Sequence, residues 1–353
     1  MRKHHIDNLR WIAVLMLFPY HIFMIYNSFG ENFYIKGADI RGTTAFIAAT
    51  WPWFMPLLFV IAGIGTANAL QKRSPGAYAK ERVRKLLIPL VAGLLLVIPA
   101  QTYFAERFHN GYTGGYFAQY ILFFTKETDL SGYTGGFTPG QLWFILYLFL
   151  ISMAAIPVIL LTCKIKFKPT LAKVPKILLP LFFILPCIGS LVLDIAGKSL
   201  GEYFVYFMLG YFLLSKDAVQ QWVEKWRFAL LGGALACTAV YLMGWFGVFT
   251  GSDLLYDIFA RFYAWLMILA LLGLAGRYLN FSNKATTYLS RSSFAVYLFH
   301  QSWIIAVAYY VFQFAKQPLP QMLWILLFSV PATFGTYELA RRWKVTRFLF
   351  GIK

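Results

Sequence analysis

The sequence predicts an all-α, polytopic integral membrane protein, and its composition and its uncharged stretches both support this fold class. Of the 353 residues, 59% are hydrophobic and only 13% are charged, and the mean hydropathy is +0.62. This composition leaves too little polar surface for a soluble globular protein. Uncharged stretches recur along the whole chain, and a helix of about 20 residues crosses a hydrocarbon core of roughly 30 Å.

These stretches predict about ten transmembrane helices within a single domain of residues 1–353. The first stretch, residues 11–30, contains no charged residue. It runs into YNSFGENF and not into a small-x-small cleavage site, so we expect this helix to be retained. In chain order, the expected spans are 10–29, 45–70, 86–104, 141–162, 177–193, 203–215, 228–247, 258–275, 292–312 and 321–340.

The basic residues predict the orientation of these spans. With both termini and the even-numbered connections in the cytoplasm, 25 of the 32 Lys and Arg residues lie on the inner side. Basic residues mark the cytoplasmic side because they resist translocation. Membrane topology therefore explains much of the net charge of +18, and a nucleic-acid partner need not be invoked.

The cysteines and the known nucleotide and metal motifs indicate no cofactor. Cys163, Cys187 and Cys237 show no CxxC or metal-ligand spacing, so we expect neither a disulfide framework nor a zinc site. The chain also contains no P-loop and no HExxH sequence. We therefore predict that the protein holds no metal.

A segment rich in glycine and aromatic residues, 105–140, is expected to be an extracytoplasmic loop. It contains the near-repeat GYTGGY at 111–116 and GYTGGF at 132–137. Glycine permits close backbone approach and the aromatic rings could stack on a sugar, but two turns that cap helices explain the repeat equally simply. If the protein acts on a sugar, we expect this loop to select it.

Ionisable groups inside the membrane are costly, which makes them the first candidates for function. Arg10 and His21 are separated by about three helical turns, or about 16 Å, and so share one face of one helix. Asp7 lies three residues before Arg10 and can pair with it. This face would carry a cation at the cytoplasmic mouth and an imidazole near the midplane.

His300 follows Arg291 by nine residues, about 13 Å of helix rise, so the two histidines are expected at a similar depth. A hydrogen bond to a neighbouring helix is the simplest role for one such histidine. A bis-histidine haem site fits the depth alone, but the basic residues at the mouth favour an anionic ligand.

The inner connection before the third span adds Arg82, Arg84 and Lys85, of which we expect Arg84 to be the less exposed. Guanidinium groups bind phosphates through paired hydrogen bonds, so this cluster suits a phosphate-rich molecule from the cytosol. Ordinary positive-inside topology explains the same residues.

Five motifs occur in order along the chain. They are the Arg10–His21 pair with ten intervening residues, ERVRKLLIP, GQLWFILYLFL, SSFAVYLFH and TYELARRW…RFLFGIK. Together they resemble the membrane acyltransferase family 3. Within that family, FPYHIFMIYNS resembles the branch of the glucan biosynthesis protein C, which resembles a succinyltransferase of periplasmic glucans. The closing motif lacks the proline that commonly follows the glutamate matched by Glu338.

The resemblance implies an O-acyltransferase that moves an acetyl or succinyl group from cytoplasmic acyl-CoA to a hydroxyl of an exported or extracytoplasmic carbohydrate. It implies a multi-pass protein of the bacterial cytoplasmic (inner) membrane. Arg10 and His21 match the essential pair of the family. Arg82 and Arg84 match its basic motif, and Trp143 and His300 match recurrent positions.

In such an enzyme, a neutral His21 would take the proton from a sugar hydroxyl as the hydroxyl attacks the thioester. An acyl-histidine relay would fit the same residues. His300 or Trp143 would position the acyl group. Arg261 would meet the acceptor or form a local ion pair, and Glu338 would bind substrate or pair with Arg341 or Arg342.

The competing class is a multi-span transporter or flippase of an anionic solute or glycan precursor. Interrupted helices such as FVIAGIGTANA fit this class, but the two halves of the chain show no repeat of the kind that many transporters have. The sequence leaves open the acyl group, the glycan and the oligomeric state, homo-oligomers included.

Overall fold

The computed structural model describes residues 3–29, 33–164, 175–195 and 197–352, and these are mainly helical. The first helices are α1 (His4–Met24), α2 (Arg41–Leu70), α3 (Pro75–Arg82), α4 (Ile88–Leu96), α5 (Ile98–His109), α6 (Tyr116–Thr125), α7 (Trp143–Lys164) and α8 (Ile184–Gly189). After them come α9 (Leu200–Leu209), α10 (Asp217–Lys225), α11 (Arg227–Trp245), α12 (Asp253–Tyr278), α13 (Lys284–Phe314), α14 (Pro318–Ala340) and α15 (Lys344–Leu349).

Short segments of other geometry extend several of these helices. Single π-helical turns occupy Val83–Leu87 and Gly210–Leu214, and 3₁₀ turns occupy Gly140–Leu142 and Lys176–Phe183. An antiparallel hairpin pairs β1 (Asp194–Ile195) with β2 (Lys198–Ser199), with Asp194 opposite Ser199.

Seven helical segments among the described residues are long and apolar enough to cross a bilayer, which confirms a multi-pass, helical membrane protein. They coincide with seven of the spans that the sequence predicts. These segments are Arg41–Leu70, Pro75–His109, Gly140–Thr162, Arg227–Trp245, Asp253–Tyr278, Lys284–Phe314 and Pro318–Ala340.

The other three expected spans fall on less apolar or shorter helices. The first span is expected to end at residue 29, but α1 ends at Met24. The fifth and sixth spans correspond to Lys176–Gly189 and Leu200–Leu214, which have fewer than 18 residues. At 1.5 Å per residue these two are shorter than a core of about 30 Å. The count of ten, and the cytoplasmic position of the termini, therefore stay predictions.

The chain divides into two compact units. The first contains a helix crossing at backbone contact distance: a Cβ atom at Gly63 would overlap the carbonyl oxygen of Phe207, and one at Gly210 would overlap that of Val60. Only glycine permits this approach of α2 to α9 and the π-helical turn that follows α9. This unit comprises Met1–Ala13, Ala48–Arg82 and Tyr147–Thr286.

The second unit contains both intramembrane histidines. Its irregular segment after α1 is tied down on two sides: the Tyr26 hydroxyl donates to Gln321 of α14 at 3.0 Å, and the Thr43 hydroxyl of α2 donates to the Tyr26 carbonyl at 2.8 Å. This unit comprises Val14–Ile47, Val83–Leu146 and Thr287–Lys353.

The segment 105–140 is not simply a loop. Its beginning belongs to α5, and α6 lies inside it because the sequence YFAQYILFFT can bury one face, through Gln119 and Phe123. The first GYTGGY ends where Gly115 precedes α6, so it forms the turn that starts a helix. The second repeat packs against α5 and α6, where Gln119 donates to the Gly135 carbonyl at 2.8 Å.

Candidate active site

The structure brings the two intramembrane histidines together. His21 lies in the last turn of α1 and His300 lies in the middle of α13. Their ring centroids are 5.1 Å apart and the ring planes are inclined by 43°. Similar depth was predicted for them from the sequence, and the packing of the second unit makes them neighbours.

The position of His21 follows from the way α1 ends. The amides of Ile25 and Tyr26 bond to carbonyls three residues back, which tightens the last turn, and the Asn27 side chain donates to the Met24 carbonyl at 2.5 Å. Such bonds satisfy carbonyl groups that a helix end leaves free. The chain then turns back, with the Gly37 amide donating to the Ile25 carbonyl at 2.7 Å.

This reversal places an aromatic ring on His21. The Phe33 ring is nearly parallel to the imidazole, with an interplanar angle of 11° and centroids 6.2 Å apart. The Tyr20 ring meets the imidazole in a T-shaped arrangement with centroids 5.4 Å apart. Nε2 of His109, on α5, is hydrogen-bonded to the Phe33 carbonyl at 2.7 Å, and this bond holds the backbone of Phe33 in place. Phe18 adds an edge contact to His300 at 5.9 Å. The neighbours of the two histidine rings are therefore mainly aromatic.

Each histidine keeps one buried nitrogen with no hydrogen-bond partner among the described residues. Nδ1 of His300 lies 2.8 Å from the Tyr297 carbonyl, which can only accept, so Nδ1 carries the proton and Nε2 is left as an acceptor. That Nε2 and Nδ1 of His21 are both buried and unpaired. Since buried polar atoms are nearly always paired, these two nitrogens are available to a ligand or to a water molecule.

A cluster of buried amides fixes the segment of α13 around His300. Gln101 of α5 donates to Gln141 at 2.8 Å and to the Ser302 hydroxyl at 2.7 Å, and it accepts from Gln301 at 3.0 Å. Gln141 donates in turn to the Leu298 carbonyl at 2.9 Å. These bonds attach both flanks of His300 to α5 and to the turn before α7.

Trp143 begins α7, two residues after Gln141, and is half-buried. Its neighbour Phe144 contacts the Tyr297 ring at 5.6 Å, and the Tyr297 hydroxyl donates to the Gln141 carbonyl. The structure thus joins the start of α7 to the His300 segment. A role for Trp143 in substrate binding stays a prediction.

The basic residues before the third span have different environments. Arg82 ends α3 with its guanidinium carbon 4.8 Å from the Tyr78 ring centroid, and its Nε is buried without a partner in the described ranges. The Tyr78 and Thr66 hydroxyls are 2.8 Å apart, which holds this ring. Arg84 and Lys85 lie in the π-helical turn. Arg84 is exposed and Lys85 is half-buried, so the expectation that Arg84 is the less exposed residue is wrong: the wider turn directs it outward.

Arg10 lies on α1 eleven residues before His21 and is half-exposed. It donates to Asp7, as the spacing predicts. Within the described ranges this bond uses one terminal nitrogen of Arg10, and the guanidinium fork has further donors that a ligand can meet.

Two other predicted substrate residues are engaged in ion pairs. Arg261 donates to Glu202 of α9 through two nitrogens, at 3.0 and 3.1 Å, and lies 3.8 Å from Asp257. Glu338 accepts from the Tyr288 hydroxyl at 2.8 Å and pairs with Arg341 at 2.7 Å. For both residues the structure shows the ion pair that the sequence offered as the alternative role.

Sequence reasoning missed Phe33, His109 and the amide cluster. Phe33 has no motif around it, and its contact with His21 depends on the reversal of the chain after α1. The amides carried a usable signal, since buried glutamines such as Gln101 and Gln301 are rare in apolar helices and require partners.

Comparison with known proteins places the whole chain in one family. The profile described as "Acyltransferase domain" matches residues 3–338. Three proteins named glucans biosynthesis protein C, from Salmonella paratyphi B, Salmonella enteritidis PT4 and Salmonella gallinarum, are each 23% identical to the chain over 380 residues, covering 100% of this chain and 95% of theirs. No solved structure matches significantly. The chain therefore belongs to the acyltransferase family that this domain defines, and it is a multi-pass membrane member of it.

Proposed function

We propose that the protein is an O-acyltransferase that moves an acetyl or succinyl group from cytoplasmic acyl-CoA to a hydroxyl of an exported or extracytoplasmic glycan. The observation that carries this proposal is the contact between His21 and His300, each with an unpaired buried nitrogen, in a chain of the acyltransferase family. The glycan acceptor is proposed from the names of the relatives, which refer to glucans.

His21 is the proposed general base. A sugar hydroxyl placed beside its ring donates its proton to the imidazole while the oxygen attacks the thioester carbonyl, forming the C–O bond. The C–S bond then breaks, and the CoA thiolate takes the proton back from the imidazolium. The aromatic rings around the imidazole reduce the access of water, which would otherwise compete as the acceptor.

His300 suits a different task. Its Nδ1–H is already donated to the Tyr297 carbonyl, so Nε2 can accept a hydrogen bond but cannot polarise a carbonyl. We assign to it the binding of a second hydroxyl of the same sugar, which orients the acceptor. The amide cluster fixes the helix segment on which this contact depends.

The donor is proposed to bind through its phosphates to Arg10, Arg82, Arg84 and Lys85, since arginine forks match phosphate oxygens. Trp143 is the proposed contact for the acyl group. Arg261 and Glu338 reach a substrate only if it replaces their present partners. In this arrangement the protein spans a bacterial inner membrane, and both termini face the cytoplasm.

The test compares wild type, His21→Ala and the control His4→Ala, purified into lipid nanodiscs. Binding of acetyl-CoA and succinyl-CoA is measured, together with release of free CoA in the presence of a gluco-oligosaccharide. We expect both acyl-CoA binding and CoA release for wild type and His4→Ala. His21→Ala should bind the donor and lose at least about a hundredfold in CoA release.

Two outcomes would contradict this assignment. If none of the proteins binds an acyl-CoA, the donor is wrong and transport becomes the better explanation. If His21→Ala releases CoA at the wild-type rate, the base is another group. An acid-quenched reaction analysed by mass spectrometry separates direct transfer from a relay, because only a relay adds the acyl mass to the peptide containing His21.

A further inference from the structure

One cation outside the machinery described above stacks on aromatic rings. Arg107, in the last turn of α5, is held between two aromatic rings, with its guanidinium carbon 5.5 Å from the Tyr103 centroid and 5.4 Å from the Tyr309 centroid. One terminal nitrogen donates to the Tyr103 hydroxyl at 2.8 Å. The Nε atom is buried and has no hydrogen-bond partner within the described ranges.

This charge has no acidic partner in the part of the chain that the structure describes. The neighbouring carboxylate, Glu106, is occupied by Lys126 and by Asn110. Arg107 is half-buried, and its fork keeps donors beyond the bond to Tyr103 that an anion would satisfy.

Aromatic rings continue from this cation toward the first GYTGGY turn. Tyr116 meets Tyr103 edge-on at 5.5 Å, and Tyr112 meets it at 6.4 Å. All three rings are half-buried, so each keeps an accessible part. A Cβ atom at Gly111 or Gly115 would meet nothing within 4 Å, which shows open space beside the turn.

We infer that Arg107, Tyr103, Tyr309 and Tyr116 form a binding site for an anionic sugar, namely a glycan acceptor that carries a carboxylate or phosphate group. This inference rests on the proposed function and names the acceptor class. The guanidinium fork binds the anionic group through paired hydrogen bonds, and the tyrosine rings pack on the sugar.

The geometry favours a sugar over a lipid headgroup. Basic side chains that meet lipid phosphates extend freely to the interface on flexible stems. Arg107 instead makes cation–π contacts with two tyrosine rings, and these contacts orient its guanidinium group. An oriented guanidinium group suits recognition of one rigid ligand.

The experiment measures binding of three fluorescent probes to the protein in nanodiscs of zwitterionic lipid: a neutral gluco-oligosaccharide, its monophosphate and its uronic-acid form. Wild type is compared with Arg107→Gln, Arg107→Lys and Lys316→Gln. Lys316 is an exposed cation just after α13, so its variant removes the same charge without touching the rings.

We expect the anionic probes to bind wild type and Lys316→Gln at least about tenfold more tightly than the neutral probe, which corresponds to one charge-assisted hydrogen bond. Arg107→Gln should abolish this preference. Arg107→Lys should keep part of it, because lysine keeps the charge and loses the planar fork. Comparing the two anionic probes identifies the preferred anion.

The inference is wrong if neutral and anionic probes bind wild type equally, or if Arg107→Gln retains the preference. It is equally wrong if Arg107→Gln lowers only the binding of a labelled anionic lipid, since the site would then serve the membrane. Tyr116→Ala, at a half-exposed ring, provides a second variant should Arg107→Gln fold poorly, and it should weaken all three probes.

These binding measurements need no acyl donor, so a failure of this inference can be distinguished from a failure of the proposed function. If anionic sugars bind through Arg107 but are never acylated, the site stands and the transferase proposal fails. If the neutral oligosaccharide is acylated and the anionic forms have no advantage in binding, the transferase proposal stands and this site fails.

Discussion

Gln101 offers the sharpest test of how the fold positions His300. Its side chain is fully buried and takes part in three hydrogen bonds, two to Gln141 and Ser302 as donor and one from Gln301 as acceptor. Gln101→Leu removes all three at nearly constant volume. It leaves the buried amide of Gln301, directly after His300, and the side-chain oxygen of Gln141 without these bonds.

The expected cost follows from the number of bonds. Each buried hydrogen bond contributes about 1 kcal/mol in soluble proteins and about 0.6 kcal/mol on average between membrane helices, so the three together contribute about 2–3 kcal/mol. If all of this orders the His300 segment in the transition state, kcat falls by roughly 30- to 150-fold. We expect kcat to fall by between about tenfold and that upper limit.

Gln321→Leu is the matched control. Gln321 is also buried, accepts from the Tyr26 hydroxyl at 3.0 Å and donates to the Ala315 carbonyl at 2.9 Å, but it has no bond to the His300 segment. Both variants should therefore lose thermal stability, measured by tryptophan fluorescence in nanodiscs. Only Gln101→Leu should lose kcat for CoA release while the KM for acyl-CoA stays unchanged.

The reasoning is refuted if the two variants lose activity equally per folded molecule. In that case the amide cluster would be a structural element with no specific effect on His300. It is refuted as well if Gln101→Leu keeps the wild-type kcat, because the bonds would then not control the position of the imidazole.

Three further predictions concern stability. Gly135→Ala should lower the Tm clearly, since Gly135 has φ +84° and an added Cβ would overlap the carboxylate side chain that packs against it. Gly115→Ala should be tolerated, because Gly115 has φ −73° and open space around the position of a Cβ atom. Arg261→Gln should destabilise the protein by about 3 kcal/mol by leaving the mostly buried Glu202 unpaired, and adding Glu202→Gln should restore part of the loss in a denaturation series. Burial lowers the pKa of His5 below 6.5 in the folded protein, so the unfolded chain binds more protons and stability falls as the pH drops through 6.5. His5→Asn should therefore reduce the difference in Tm between about pH 7.5 and 5.5. An unchanged difference would contradict this assignment.

The elements that the sequence predicted well are those set by local composition. Long uncharged runs gave seven spans correctly, because each run by itself is long enough to cross the bilayer. The expected span 177–193 was extended past the end of the helix Lys176–Gly189 by the same criterion, since apolar residues continue into the turn before the hairpin. The expected span 203–215 falls within one residue of the end of Leu200–Leu214, but this helix has fewer than 18 residues. Within 105–140, glycine and aromatic content masked the one buried face of α6.

The candidate site was predicted only in part, for a similar reason. Helix rise sets the depth of His21 and His300, but it does not say which helices are neighbours. Their contact at 5.1 Å depends on the packing of α1 against α13. The ring of Phe33 reaches His21 through a chain reversal, and no local pattern encodes that approach.

The attachment of Phe33 has a consequence for access to the imidazole. The Phe33 ring lies parallel to His21 with its centroid 6.2 Å away, and its own carbonyl is bonded to His109, so a substrate that stacks on this side of the imidazole has to displace a ring whose backbone is held. Turnover by that route would include an opening step, and its rate would respond to solvent viscosity rather than to the reactivity of the thioester.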